Sequence, residues 1–328
     1  MRTKGRNPEG VAGLIREAET IAVCSHINPD GDTLGCAAAM RLALLKMGKI
    51  VSLFCDGKVP DQLEFLPGIR ETRCPSGDEG PFDLMLSVDA SDEARLGKCI
   101  LLKGKSRHTA QIDHHESNPL FMEVNSVDED APAACLMIRE QIAALGVEID
   151  RDIAVCLYTG ISTDTGNFAF ASTNAECFDA MSELMKAGLP IAELNRILFR
   201  DRAMPQVRLM GRALASLQYY ENGRIALITL TQEDFRQCGA LSEHADTIVN
   251  LGLDTVGTRM ALMARETGDG SVKFSLRAKE PDSIVDIARQ FGGGGHAQAA
   301  GISMQGTLES TVGKVLDVMI RRLNGTQE

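Results

Sequence analysis

From residue 21 to residue 170, short apolar runs alternate with longer helix-forming segments, a rhythm that predicts a parallel sheet covered by helices. Residues 21–25, 50–55, 84–88 and 109–112 read as strands. A further run, 154–159, reads equally as a strand or as the end of a helix. Residues 32–47, rich in Ala, Leu and Met, read as a helix with Gly48 as its stop signal. Another helix is expected over 133–145, opened by Pro132 and closed by Gly146. Residues 172–187 and 191–199 read as helices that complete a first domain, and 205–217 as a helical connector. A new strand pattern begins at 224–230 and continues at 258–264 and 272–278. The expected organisation is therefore a first domain over 1–200, a connector over 201–221 and a second domain over 222–328. The fold class is α/β: a parallel sheet with helices on both faces, then a smaller α/β domain.

Charge and composition narrow the function. The 328 residues carry a net charge of −11, which argues against capture of long double-stranded nucleic acid by neutralising its phosphates. Trp is absent and aromatics make up 4%, so an extended base-stacking platform is poorly supplied. A small phosphorylated substrate stays compatible, because bound divalent cations reverse the local field. No apolar run reaches bilayer length, and residues 1–20 lack the apolar core of a secretory signal. The reading is a cytoplasmic protein without a membrane partner. The nine cysteines form no C-x-x-C pair and are expected as reduced, mostly buried thiols.

Four short segments then stand out: His26-Ile-Asn-Pro-Asp30-Gly-Asp32, Val88-Asp89-Ala-Ser91, Asp113-His114-His115 and Thr163-Asp164-Thr-Gly166. Taken singly, each has an ordinary reading as a turn, a helix cap or a surface pair. Three of them directly follow an expected strand, and ligands in open α/β sheets bind outside the carboxyl ends of strands. Asp164 would reach the same edge through a short loop. A mixed Asp and His donor set fits Mn²⁺ best, and four coordinating carboxylates would balance two divalent ions. Two metals about 3.5–4 Å apart activate a shared water and hold a phosphoryl oxygen for in-line attack.

The run Gly292-Gly-Gly-Gly-His296 has its own rationale, since backbone N–H groups without side chains approach an anion closely. It reads as a phosphate cradle.

The order of these motifs resembles the DHH phosphoesterase superfamily, and Gly292 to His296 with Ala299-Ala300-Gly301 resembles the first type of DHH-associated domain. The resemblance spans Ser25 to Gly301, and the two-domain layout is similar to bacterial nanoRNases that also remove the 3′-phosphate of 3′-phosphoadenosine 5′-phosphate (pAp). It implies that His26 and Asp30 hold one Mn²⁺, that Asp32, His114 and Asp164 hold the other, and that Asp89 bridges them. It further implies that Asp113 orients a ligand or water, and that His115 faces the scissile phosphate to stabilise charge or protonate the leaving oxygen. Arg277, His296 and the loop glycines Gly293, Gly294 and Gly295 would contact substrate phosphate. Three positions depart from the usual pattern: Cys36, Ala278 and Ala297 stand where Ser, Ser and a basic residue are frequent. None removes an implied metal ligand; the last two bear on substrate choice.

The expected function is hydrolysis of short oligoribonucleotides, pApA and pAp by a two-Mn²⁺ centre in a cleft between the domains. Cyclic di-AMP phosphodiesterase is the alternative, since relatives of the same layout cleave it with the same motifs. An inorganic pyrophosphatase would carry a Lys/Arg-rich second domain in place of the glycine loop. A nucleotide sensor without activity would be expected to have lost ligands. A homodimer is left open as a partner.

Overall fold

The computed structural model describes residues 4–325, which form two compact units divided between Asp201 and Arg202. The first contains α1 (Pro8–Glu17), β1 (Thr20–Cys24), α2 (Gly31–Lys46), β2 (Ile50–Phe54), β3 (Phe82–Val88), β4 (Ser106–Asp113), β5 (Val124–Val127), α3 (Ala134–Ala144), α4 (Arg151–Asp164), α5 (Ala175–Lys186) and α6 (Ile191–Phe199). The five strands form one sheet in the order β2-β1-β3-β4-β5, with every pair parallel.

Alternation along each strand divides the core in two. Ile21, Val23, Leu84, Leu86, Val88, Ala110 and Ile112 pack with residues of the α-helices. Ala22, Cys24, Phe54 and Met85 face the other way, against Leu96, Cys99 and Leu102 of a 3₁₀ segment, Ala94–Lys105. Burial on both faces is why these strands read as unbroken apolar runs rather than alternating ones. Both faces are covered, but unequally: α-helices take one, and the 3₁₀ segment takes the other.

Two features depart from the sequence reading. The 154–159 run is the middle of α4, a helix buried from Ile153 through Ser162. A helix buried all round shows no amphipathic period, so its apolar run resembles a strand. Strand β5 is not evident in the sequence, because Val-Asn-Ser-Val carries too little apolar signal.

The second unit contains α7 (Met204–Ser216), β6 (Gln218–Tyr220), β7 (Ile225–Leu230), α8 (Gln232–Cys238), α9 (Asn250–Leu253), β8 (Met260–Glu266), β9 (Ser271–Ala278), α10 (Val285–Gln290), β10 (Gly294–Gly295), β11 (Ala299–Gln305) and α11 (Leu308–Leu323). Its sheet runs β10-β11-β9-β8-β7-β6, antiparallel apart from the β7–β8 pair. The segment read as a connector is built into this unit: Leu209 and Ala213 of α7 pack with Ile228 and Met263 of the sheet, and β6 is its edge strand. Among the described residues no helix is long and apolar enough to cross a membrane. All nine cysteines are free, and only Cys74 is exposed.

Candidate metal centre

Parallel strands end on one edge, so β1, β3 and β4 bring His26, Asp89 and Asp113–His115 together. The remaining donors arrive on helices. Asp30 caps α2, where its Oδ1 accepts from the amides of Asp32 and Thr33 (both 3.1 Å), and Asp32 lies in the first turn. Asp164 is the last residue of α4, so it reaches the edge on a rigid helix and not on a loop.

Glycine sets how closely those two helices approach. A Cβ on Gly160 would sit closer than 3.0 Å to Asp32 Oδ1 and to Cys135 Sγ. One on Gly35 would meet the Cys156 carbonyl at 2.6 Å.

The donor atoms fall into two overlapping groups. His26 Nε2 lies 3.6 Å from both Asp30 Oδ2 and Asp89 Oδ2. His114 Nε2 lies 3.3 Å from Asp164 Oδ2, 3.5 Å from Asp89 Oδ1 and 3.9 Å from Asp32 Oδ2. Within each set, His26/Asp30/Asp89 and Asp32/His114/Asp164, the ligand atoms lie within 4.8 Å of one another, and Asp89 faces both histidines. At the end of β3, Asp89 has left-handed backbone (φ 52°), uncommon outside glycine and characteristic of functional sites.

Three of the donors, His26, His114 and Asp32, are aimed by further partners. His26 Nδ1 lies 2.7 Å from the Ile27 carbonyl and 3.1 Å from Arg95 Nη2. His114 Nδ1 lies 2.9 Å from the Ala131 carbonyl. In each imidazole the carbonyl holds Nδ1 as the donor, which leaves Nε2 as the nitrogen turned to the centre. The fully buried Asp32 accepts from the Ala134 amide (2.6 Å) and the Cys135 amide (3.0 Å) at the start of α3. The Cys36 thiol lies 3.7 Å from Asp32 Oδ1 and 3.4 Å from Cys135 Sγ.

Asp113 is set apart from the donors. It accepts at Oδ1 from His115 Nδ1 (2.8 Å) and at Oδ2 from Asn118 Nδ2 (2.6 Å). His115, 37% exposed in its side chain, is the more accessible of the two neighbouring imidazoles.

The carboxylates and imidazoles of the cluster shift one another's charge states. Burial and the nearby Asp89 push Asp32 up to about 6. Burial with Asp32 and Asp89 pushes Asp164 up to about 9. Burial lowers both histidines, yet Asp30 and Asp89 carry His26 up to about 10, and Asp89 with Asp32 carries His114 to about 10. Burial opposes ionisation of Asp89, but His114 and His26 outweigh it and hold that carboxyl below the usual range. His115 is raised by its bond to Asp113. Carboxylates crowded in a dry site thus retain protons that divalent ions would displace.

The residues fit a metal. Asp89 Oδ1 is buried without a hydrogen-bond partner, which normally demands an ion or water. The 3.3–3.9 Å separations between donors are too long for good hydrogen bonds and suit atoms sharing a cation.

The second unit carries the other candidate residues. Antiparallel pairing of β11 with β9 places Ala299 opposite Arg277, and the His296 amide donates to the Ala299 carbonyl at 2.7 Å. Arg277 and the exposed His296 thus share one end of this sheet. Among the described residues Arg277 forms no ion pair; its Nη1 donates to the Leu276 carbonyl at 3.0 Å, and partial burial lowers its pKa.

The glycine run has a reason different from the one the sequence suggested. The amides of Gly292, Gly293 and His296 already donate to the carbonyls of Arg289, Ala288 and Ala299. Gly294 and Gly295 pair with Gly301 and Ala300. Side chains at Gly293 or Gly295 would collide with the Gly301 and Ala299 carbonyls. Tight backbone packing, more than a vacant row of amides, is what demands glycine at these two positions.

Sequence reasoning alone does not single out Arg95, Asn118 or the Ala131 carbonyl. Asn118 lies in the Ser-Asn-Pro turn after the second histidine, a faint signal; a backbone carbonyl offers none.

Residues 20–161 match the DHH family N-terminal domain, and residues 235–325 match the DHHA1 domain. The chain is 32% identical over 316 residues to the bifunctional oligoribonuclease and PAP phosphatase NrnA of Thermus thermophilus, covering 95% of this chain and 93% of that one. The chain belongs to the DHH family. The Bacillus subtilis protein of the same name is 25% identical over 291 residues, covering 87% and 90% of the two chains. Among solved structures, an exopolyphosphatase-related protein from Bacteroides fragilis superposes with a TM-score of 0.88 at 25% identity, covering 96% of this chain and 95% of that one. As a DHH family member, the chain has the α/β architecture expected of it from the sequence, and its metal-dependent chemistry has donors to rest on.

Proposed function

We propose that this chain is a Mn²⁺-dependent phosphoesterase that hydrolyses short oligoribonucleotides, pApA among them, and pAp. The observation that carries the reading is the pair of donor sets meeting at Asp89, whose Oδ1 is buried and unpartnered. The names borne by the Thermus thermophilus and Bacillus subtilis relatives supply the substrate class. Those names favour oligoribonucleotides and pAp over cyclic di-AMP.

His26, Asp30 and Asp89 would hold one ion, and Asp32, His114, Asp164 and Asp89 the other. Two divalent ions there supply an activated water and withdraw charge from a phosphoryl oxygen. Asp113, fixed by Asn118, holds His115 through Nδ1 and favours its protonated form. His115 Nε2 is then the group that stabilises charge on the phosphoryl oxygens or gives a proton to the leaving oxygen. In the second unit, Arg277 and His296 bind another phosphate of the substrate, the guanidinium through its two-pronged donor geometry. Recognition of a chain end in this way suits short substrates, as does a net charge of −11.

The test is Mn²⁺-dependent turnover of pApA, RNAs from two to about 24 nucleotides, pAp, cyclic di-AMP and pyrophosphate, lengths chosen to span a single binding site and many. Fast cleavage of the shortest RNAs together with pAp is expected. Preference for cyclic di-AMP, or two bound metals with no turnover on any substrate, would overturn the reading.

A further inference from the structure

The N-terminal segment ahead of α1 reaches the candidate centre through a chain of short contacts. Gly5 pairs with Val127 at the free edge of β5, and the Asn7 amide donates to Ser126 Oγ at 2.9 Å. Between them, Arg6 gathers three elements. Its Nη1 and Nη2 donate to the two carboxylate oxygens of Glu176 on α5 (2.6 and 2.7 Å), and Nη1 lies 3.4 Å from Glu140 on α3. Its Nε donates to Asp128 Oδ2 at 2.7 Å.

Asp128 is the base of a turn. Its Oδ1 accepts from the Asp130 amide (3.1 Å), its carbonyl from the Ala131 amide (3.2 Å), and its own amide donates to the Asp113 carbonyl (3.1 Å). That turn presents the Ala131 carbonyl to His114 Nδ1 and leads directly into the Ala134 and Cys135 amides that hold Asp32. Two donors of one metal set therefore take their orientation from a loop whose anchoring carboxylate is held by the Arg6 guanidinium. The side-chain partners of Arg6 are Asp128, Glu140 and Glu176; the residues that orient His26 and Asp30 are not among them.

We propose that Arg6 is a positioning residue for the Asp32/His114/Asp164 half of the centre, acting through Asp128. This rests on the metal reading above. A planar fork suits the role, since one side chain holds Glu176 in two-pronged fashion while a third nitrogen serves Asp128. Loss of partners that orient ligands typically weakens metal binding about 10–100-fold.

The test is calorimetric Mn²⁺ titration of the full chain as wild type, Arg6→Ala, Arg6→Lys and Asp128→Asn, with thermal melts of each in chelator. Asp128→Asn keeps the oxygen for the Asp130 amide and removes the charge facing Arg6, so it serves if Arg6→Ala does not fold. The expected result is two sites in wild type and a selective loss of about 10-fold or more at one of them in Arg6→Ala and Asp128→Asn. Arg6→Lys should recover part of it. Equal weakening of both sites in step with Tm, or unchanged affinities, would overturn the proposal. A wild-type chain that binds no Mn²⁺ would overturn the metal reading itself, and the positioning role with it.

Discussion

Replacing Gly160 with Ala tests whether the centre depends on the close approach of α2 and α4. The added methyl lands within 3.0 Å of Asp32 Oδ1 and Cys135 Sγ, both on fully buried residues. Two responses are open. Asp32 could move, but its oxygens accept the Ala134 and Cys135 amides, and hydrogen bonds to a charged group contribute about 1.5–3 kcal/mol each. The helices could instead part by about 1 Å, enough to bring the methyl's approach to Asp32 Oδ1 to ordinary contact distance, at about 1–3 kcal/mol for an overpacked methyl. The second response is cheaper. It is offset by roughly 1 kcal/mol from replacing a helical glycine by alanine. Net destabilisation should therefore be about 0–2 kcal/mol, a fall in Tm of no more than roughly 8 °C at this domain size. Parting the helices separates Asp32 from Asp164, so Mn²⁺ affinity should fall about 10-fold or more while the fold persists. Gly211→Ala in α7 is the control: its Cβ would meet nothing within 4 Å, so it should stabilise by about 0.5–1 kcal/mol and leave metal binding alone. Calorimetric melts and Mn²⁺ titrations on the three proteins decide the matter. A Gly160→Ala chain with wild-type Mn²⁺ affinity would refute the claim that this helix contact sets the donor spacing.

Three further outcomes are expected. Asp89→Ala should lower bound Mn²⁺ below two per chain by elemental analysis, since Asp89 faces both donor sets; full occupancy would remove it as the bridge. His115→Ala should keep its metal and lose about 10²–10⁴-fold in kcat, with Asp113→Asn losing less; unchanged kcat would take His115 out of the reaction. Asp150 caps α4 by accepting from the Ile153 amide (3.0 Å), and although burial opposes it, that bond and Lys46 hold its carboxyl below the usual range. Its contribution is present above the unfolded carboxyl range and lost as pH falls through the lower folded value. Asp150→Ala should therefore cost about 0.5–2 kcal/mol in denaturant melts at neutral pH and far less in strong acid; a cost independent of pH would contradict the assignment.

Much of the centre is legible in the chain itself. His26, Asp89 and Asp113 each end an apolar run, and parallel strands necessarily deliver such ends to one edge. Asp30 and Asp32 preface a helix whose composition announces it. The order of these motifs points to the family, which the match over residues 20–161 and 235–325 bears out.

Other features lie beyond the chain read as a string. The helical state of 154–159 depends on burial around its whole circumference, which erases the period that marks a helix. The role of Gly160 depends on Asp32, a residue of another helix. The glycine run has the composition of an anion cradle, and only its packing against the end of α10 and against β11 reveals that most of its amides have partners already. Local composition and period determined which side chains stand at the ends of which elements, because those signals are carried by neighbours along the chain. What orients the side chains is another matter: the Ala131 carbonyl, the Ala134 and Cys135 amides and the Arg6–Asp128 pair were decided by tertiary structure alone. Backbone groups are chemically alike at nearly every position, so no sequence signal distinguishes the few that packing brings against a ligand.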